Sequence, residues 1–187
     1  MTARRLLSPQ LPTDYVALDL ETTGFSPRYE DILEIGAVRV RNGRVAEEFS
    51  QLIRPNKQIS PKVEQLTGIT LDTVRDAPEI GDVIGDFVHW VGDDKLVGHN
   101  VRFDVAFLAM AAMRTALGPQ FRQPSYDTMS IDKRLFPSER HRLADLIVRY
   151  GIADTEQHRA LSDATQTYQC LEWQRRYIAS KITNIAL

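Results

Sequence analysis

The dipeptide Asn42-Gly43 constrains the fold of this chain more than any other feature. It separates two runs rich in strand-forming residues, 31–41 (DILEIGAVRVR) and 44–53 (RVAEEFSQLI). Asn-Gly between two such runs is the strongest short signal for a β-hairpin with a two-residue turn. We therefore predict two antiparallel strands joined at residues 42 and 43.

The rest of the chain predicts further strands and many helices. The segment 15–20, which begins with the apolar run 15–18, is typical of a buried strand. The apolar residues between Ile80 and Val91 recur with the period of an amphipathic helix. The other predicted elements are strands at 95–98 and around Tyr126, and helices at 60–66, 71–74, 101–117, 128–136, 142–150 and 159–182. This order predicts an α/β fold, in which helices flank a mixed sheet whose first strands are antiparallel.

Composition limits the class of protein. The 187 residues fit one domain, and 43% hydrophobic with 26% charged residues is ordinary for a globular protein. No apolar run approaches the roughly 20 residues of a membrane helix, and the N-terminal segment lacks a secretory signal. The single cysteine, Cys170, excludes an internal disulfide. We expect a cytoplasmic protein with no membrane partner.

Two carboxylates end the first apolar run. Asp19 and Glu21 stand two residues apart, so on a strand they project to the same side. Neighbouring carboxylates repel each other, and a hard divalent cation such as Mg²⁺ or Mn²⁺ relieves that repulsion. The competing interpretation is that Glu21 faces water and Asp19 caps a turn, and this is the better one for an isolated pair.

Three more polar residues extend this pattern. Asp104 follows Asn100, a candidate N-cap, and lies among apolar neighbours at the start of a helix. The alternative is that Asp104 is an exposed residue that interacts favourably with the helix dipole. His158 lies just before the last predicted helix, and Asp163 lies inside it. Their spacing of five does not place both on one helical face, and a lone histidine in a polar loop is usually a surface residue.

Together these residues resemble a known family, the DEDDh or DnaQ-like 3′–5′ exonucleases, which include the proofreading epsilon subunit of bacterial DNA polymerase III. The resemblance covers nearly the whole chain from Tyr15 onward. Each motif is weak alone, but their order and spacing are specific. The matching stretches are DLETTG (19–24), LEIGAV (33–38), LTGI (66–69), GHNVRFDVAFL (98–108), YDT (126–128) and HRALSDA (158–164).

The resemblance implies a ribonuclease-H-like fold and a two-metal phosphodiesterase that uses Mg²⁺ or Mn²⁺. Asp19 would bridge both ions, Glu21 and Asp163 would hold the ion on the side of the attacking water, and Asp104 would support the other ion. His158 would be the general base, since imidazole takes a proton near neutral pH.

The substrate implied is the 3′ end of a nucleic acid, with DNA more expected than RNA, and the products are nucleoside 5′-monophosphates. A DNA polymerase subunit is a further expected partner. By resemblance the terminal nucleotide would contact Thr22, Thr23, Leu66, Thr67 and Phe103. From its position we predict that Phe25 stacks on the last bases, the alternative being a core residue under the hairpin.

The expected organisation is an N-terminal extension at 1–14, one exonuclease domain at 15–183 and a tail at 184–187. Three alternatives remain open. One is an RNA 3′-end-trimming exoribonuclease of the same family. The second is a haloacid-dehalogenase-like phosphatase, whose two acids also follow a strand, although its motif ends in Asp-Gly-Thr rather than E-T-T-G. The third is a nucleic-acid-binding module without activity.

Overall fold

A five-stranded mixed sheet forms the centre of the molecule in the computed structural model, which describes residues 11–185. The strands are β1 Tyr15–Thr22, β2 Ile32–Arg41, β3 Arg44–Leu52, β4 Leu96–Gly98 and β5 Ser125–Asp127. They lie in the order β3-β2-β1-β4-β5. The pairs β1–β2 and β2–β3 are antiparallel, whereas β4 is parallel to both β1 and β5. The predicted mixed sheet with antiparallel first strands is confirmed.

Helices cover the sheet. In the described part of the chain they are α1 Pro61–Thr67, α2 Leu71–Val74, α3 Ile80–Val91, α4 Arg102–Arg114, α5 Thr128–Leu135, α6 Leu143–Arg149 and α7 Ala160–Ile185. None of the helices within residues 11–185 has the length and hydrophobicity that crossing a bilayer requires.

The predicted hairpin forms between β2 and β3. Asn42 has a φ of 51° and Gly43 a φ of 72°, so both turn residues take the left-handed conformation that a type I′ turn requires. Arg41 pairs directly with Arg44 across this turn. The turn places β3 at the edge of the sheet and leaves β2 beside β1.

Alternation along β1 decides which helix each of its side chains meets. Leu18 joins the core cluster that includes α3 and α4, whereas Ala17 packs with Leu171 of α7 on the opposite face. Asp19 and Glu21 have the same parity as Ala17, so they point to the face that α7 covers. The fold therefore brings the last helix of the chain onto the first strand.

Two helix starts differ in how well sequence predicted them. The helix expected at 101–117 is shorter at both ends, and Asn100 is not its N-cap: Asn100 has a φ of 64°, and Val101 occupies the capping position. The backbone N–H of Asn100 instead donates to Oδ1 of Asp127. Asp127 does cap α5, as predicted, by accepting from the backbone N–H of Met129. Asp127 thus ties the ends of β4 and β5 together.

The predicted N-terminal extension 1–14 and tail 184–187 lie partly outside the described residues. Within the described part, the guanidinium of Arg175 on α7 donates to the carbonyl oxygens of Leu11 and Pro12. Residues just before β1 are therefore bound to the last helix. The proposed domain limits stay predictions.

Candidate active site

Three acidic side chains converge where β1 meets the start of α7. Single carboxylate oxygens of Asp19, Glu21 and Asp163 lie within 4.8 Å of one another. Asp163 is 2% exposed and Glu21 is 9% exposed. The structure thus brings three of the four predicted acids to a spacing that one metal ion can span.

Asp104 approaches the same strand from α4, on the other side of the sheet. It is only 3% exposed, so the alternative of a solvent-facing acid that stabilises the helix dipole is wrong. Burial raises the pKa of Asp104 to about 8. Hydrogen bonds from the backbone N–H groups of Asp104 and Leu20 stabilise the charged carboxylate and partly oppose this rise. The charge of Asp104 is also the largest charge effect that raises the pKa of Asp19.

The clustered carboxylates resist ionisation together. Burial, followed by the charges of neighbouring acids, raises the pKa of Asp19 well above its ordinary value. Burial and the charge of Asp163 raise the pKa of Glu21 to about 8. Burial and the charge of Glu156 raise the pKa of Asp163 to about 7, although hydrogen bonds from the backbone N–H groups of Gln157 and His158 act to lower it. A cluster of this kind is charged at neutral pH only when a positive charge compensates it.

A divalent cation fits this cluster. Oδ1 of Asp163 is buried and has no hydrogen-bond donor among the described residues, although a buried carboxylate oxygen normally has one. Carboxylate oxygens are the ligands that Mg²⁺ and Mn²⁺ prefer. Asp19, Glu21 and Asp163 are therefore the residues that could hold a metal. Asp104 is near enough for its charge to raise the pKa of Asp19.

His158 lies beside this cluster, on the segment that leads into α7. Its φ is 51°, a left-handed conformation that is uncommon for residues other than glycine. Atoms of Glu156, His158 and Asp163 that could bind a metal lie within 4.8 Å of one another. The imidazole is partly exposed, and its Nδ1 lies 3.7 Å from Oε1 of Glu156.

Glu156 was not among the predicted site residues. Its charge raises the pKa of Asp19, Glu21 and Asp163, so the site contains a fifth acid that the motifs do not include. The only signal in the sequence is its place two residues before His158 in DTEQHR.

Glu34 and Gly36 of β2 hold the start of α7 in place. Glu34 lies opposite Glu21 in the sheet and is 2% exposed. It accepts hydrogen bonds from Nε and Nη2 of Arg159, at 3.1 and 2.8 Å, and from the backbone N–H of Ala160 at 3.0 Å. A Cβ on Gly36 would lie 2.1 Å from the backbone carbonyl carbon of Ala160. Both residues lie within the stretch LEIGAV, for which no site role was predicted.

An apolar pocket adjoins the acidic cluster. Its volume is about 290 Å³. It contains all six residues predicted to contact the terminal nucleotide, and it is lined by Leu20, Glu21, Thr22, Thr23, Gly24, Phe25, Ser60, Lys62, Val63, Leu66, Thr67 and Phe103. Glu21 belongs to both the pocket and the acidic cluster, so a molecule in the pocket would reach the carboxylates. The contacts with nucleotide stay a prediction.

The loop after β1 presents Phe25 to solvent. Phe25 is 87% exposed, so the alternative of a core phenylalanine under the hairpin is wrong. The loop itself is well anchored: Thr23 donates its hydroxyl to Glu30 at 2.7 Å and accepts from the backbone N–H of Asp31 at 2.9 Å. An exposed aromatic ring on an anchored loop is suited to stacking with little loss of entropy.

Comparisons with known proteins agree with this geometry. The family model described as "Exonuclease" (RNase_T) matches residues 16–171. DNA polymerase III PolC-type from Bacillus subtilis is 39% identical over 166 residues, which cover 88% of this chain and 11% of that protein. The corresponding protein from Thermotoga maritima is 34% identical over 155 residues, covering 83% and 11%. This chain therefore spans about a ninth of the length of these relatives.

Solved structures show the same architecture. Exonuclease X, solved in complex with 5′-overhanging duplex DNA, superposes with a TM-score of 0.69 at 28% identity, covering 87% of this chain and 92% of that one. Escherichia coli exonuclease I, solved with a dT13 oligonucleotide, gives a TM-score of 0.78 at 19% identity, covering 93% and 43%. The expected ribonuclease-H-like fold is confirmed, and the comparisons favour an exonuclease over the phosphatase alternative. The chain belongs to the exonuclease family.

Proposed function

We propose that this chain is a metal-dependent 3′–5′ exonuclease that releases nucleoside 5′-monophosphates from DNA. The observation that carries the proposal is the contact between two features: the cluster of Asp19, Glu21 and Asp163 and the apolar pocket that shares Glu21. A nucleotide in the pocket would bring its 5′-phosphate to the carboxylates. Cleavage of that phosphodiester frees a single nucleotide at each step.

The residues of the site divide the chemistry between them. Two divalent cations, Mg²⁺ or Mn²⁺, supply activation of water and stabilisation of the leaving oxygen when bound to the four acids. His158 takes the proton of the attacking water, as a partly exposed imidazole beside the carboxylates can do. Leu66 and Phe103 contact the terminal base, and Phe25 stacks on it or on its neighbour.

The choice of DNA rests on similarity. The curated relatives are DNA polymerases, and exonuclease X, at 28% identity, was solved with duplex DNA. We extend this to a role in proofreading or repair, with a DNA polymerase subunit as the partner and residues 15–183 as the catalytic domain. An RNA-trimming activity is the second candidate. It is distinguished by whether the pocket accepts a 2′-hydroxyl.

Oligonucleotides labelled at the 5′ end test direction and substrate together. With Mg²⁺ or Mn²⁺ the proposed activity gives a ladder of shortened labelled products, and a 3′-labelled strand releases its label at once as a mononucleotide. Matched DNA and RNA strands decide the substrate class. Asp163→Asn and added chelator are the controls for contaminating nucleases. Immediate loss of the 5′ label as a mononucleotide would refute the proposed direction.

A binding module without activity makes a different prediction in the same assay. It would bind the oligonucleotide and leave it intact at every metal concentration. A phosphomonoester such as p-nitrophenyl phosphate should not be hydrolysed. Rapid hydrolysis of that compound together with intact oligonucleotides would revive the phosphatase alternative.

A further inference from the structure

Glu156 is anchored to the neighbouring helix α6 through one of its carboxylate oxygens. Its Oε2 accepts a hydrogen bond of 3.1 Å from the backbone N–H of Ala144, in the first turn of α6. Backbone N–H groups at the start of a helix lack partners within the helix, and a carboxylate satisfies one of them. This bond orients the carboxylate and leaves Oε1 free to contact the segment before α7.

The free oxygen faces His158. Oε1 of Glu156 lies 3.7 Å from Nδ1 of His158, and both side chains are only partly exposed. This separation is longer than a hydrogen bond, but such contacts are often long without substrate and tighten when it binds. Nδ1 is the nitrogen whose partner decides which tautomer the neutral imidazole adopts.

We propose that Glu156 is the positioning residue of His158. Its Oε1 accepts the Nδ1–H of the neutral imidazole, so that Nε2 carries a lone pair and takes the proton of the attacking water. The inference rests on the proposed function, because it assumes that His158 is the general base. A carboxylate that orients an imidazole through Nδ1–H is an established arrangement in proteins of other folds.

The backbone of His158 makes such an anchor useful. Its φ of 51° places the residue in a sparsely populated conformation on a segment between two helices. A partly exposed ring on that segment has several rotamers available. A fixed carboxylate at Nδ1 favours one of them, which reduces the entropy lost when the water, the ring and the phosphate align.

Glu156→Gln is the informative variant. Glutamine can keep the bond to Ala144 through its carbonyl oxygen, and its NH₂ then donates to Nδ1 of His158. That favours the tautomer with the proton on Nε2, which cannot act as a base. We expect kcat to fall about 10- to 100-fold while KM changes less than about twofold. Asp154→Asn, which neutralises an exposed carboxylate on the same segment, should leave kcat unchanged.

Nitrogen NMR of the imidazoles reports the tautomer directly. The chain has four histidines, so the His158→Gln variant identifies the resonances of His158 by their loss. With Mg²⁺ present, the wild-type protein should show a protonated Nδ1 at neutral pH. Glu156→Gln should shift the population toward a protonated Nε2. An unchanged tautomer in this variant would overturn the proposal.

A double-mutant cycle separates positioning from metal binding. If Glu156 acts through His158, adding Glu156→Gln to His158→Gln lowers the residual rate no further. The Mn²⁺ concentration for half-maximal activity should also be the same in Glu156→Gln as in the wild type. A further loss in the double variant, or a higher Mn²⁺ requirement in the single one, would make Glu156 a metal ligand instead.

The outcomes distinguish this inference from the proposed function. If Asp19→Ala and His158→Gln lose activity while Glu156→Gln keeps the wild-type kcat, only the positioning role fails. If Asp19→Ala and His158→Gln both keep the wild-type rate, the proposed exonuclease mechanism fails as well.

Discussion

Replacing Gly36 by alanine should displace the start of α7 and reduce activity strongly, while the chain still folds. The added Cβ would lie 2.1 Å from both the carbonyl carbon of Ala160 and the nitrogen of Leu161. Unstrained carbon atoms stand about 3.5 Å apart or more, so the helix or the strand must move by about 1.4 Å. The obstructing atoms belong to backbone, so no side-chain rotation can relieve the clash.

This displacement acts directly on the candidate site. His158 and Asp163 flank the contact, two residues before Ala160 and three after it. A misplacement of about 1 Å in catalytic groups costs on the order of 10²-fold in rate. Overpacking costs about 1–3 kcal/mol of stability, which for a chain of this size lowers the Tm by about 2–12 °C. The variant should therefore fold, with kcat reduced about 100-fold.

Initial rates on a 5′-labelled oligonucleotide at saturating Mn²⁺ measure the first effect, and thermal unfolding measures the second. Gly85→Ala is the matched control, because nothing lies within 4 Å of a Cβ placed at this position in α3. It should keep the wild-type rate and gain up to about 1 kcal/mol from helix propensity. A Gly36→Ala variant with wild-type kcat and Tm would refute the claim that β2 sets the position of α7.

Three further predictions concern the acids and the pocket. Asp19→Ala should abolish Mg²⁺-dependent hydrolysis. It should not lower the Tm in chelator, because the change removes a buried acid from a cluster of acids that repel one another. Substantial hydrolysis by this variant would exclude Asp19 from the mechanism. Phe25→Ala should weaken binding of single-stranded oligonucleotide by about 1–3 kcal/mol and leave the Tm unchanged, because the ring is 87% exposed. Tyr29→Ala, another exposed aromatic but outside the pocket, is its control, and a large drop in Tm for Phe25→Ala with normal binding would contradict stacking. Metal-free protein should lose stability as pH rises from about 5 to 8. In the folded protein Glu21, with a pKa of about 8, keeps a proton that the unfolded chain releases near the ordinary value of 4.5. Saturating Mg²⁺ should flatten this dependence of Tm on pH, and a flat Tm profile in chelator would contradict the prediction.

Local signals in the sequence were sufficient for most of the fold. The Asn42-Gly43 turn and the alternating runs beside it determine the hairpin, because the conformations of two turn residues set the strand register. Helix α3 follows from its apolar period in the same way. The start of α4 was misplaced by one residue, since the tertiary bond from Asn100 to Asp127 overrode its use as a helix cap.

The site was predictable to the extent that resemblance supplied its residues. The order of the motifs named the four acids, the histidine and five of the residues that line the pocket. The strand period alone placed Asp19 and Glu21 on one side. Whether Phe25 is buried or exposed was undecided by sequence, because an isolated aromatic beside a glycine is compatible with either environment. The anchored loop after β1 decided it.

Only the tertiary structure revealed what positions the start of α7. Glu34 and Arg159 are 125 residues apart in sequence, and Gly36 meets Ala160 across a similar distance. Periodicity and turn chemistry act over a few residues, so they carry no information on such contacts. The chemistry that the chain can perform depends on residue type, which can be read without knowing the fold. The spacing of the acids, and the approach of Glu156 to His158, depend on how α6 and α7 pack against the sheet, and packing is a property of the whole folded chain.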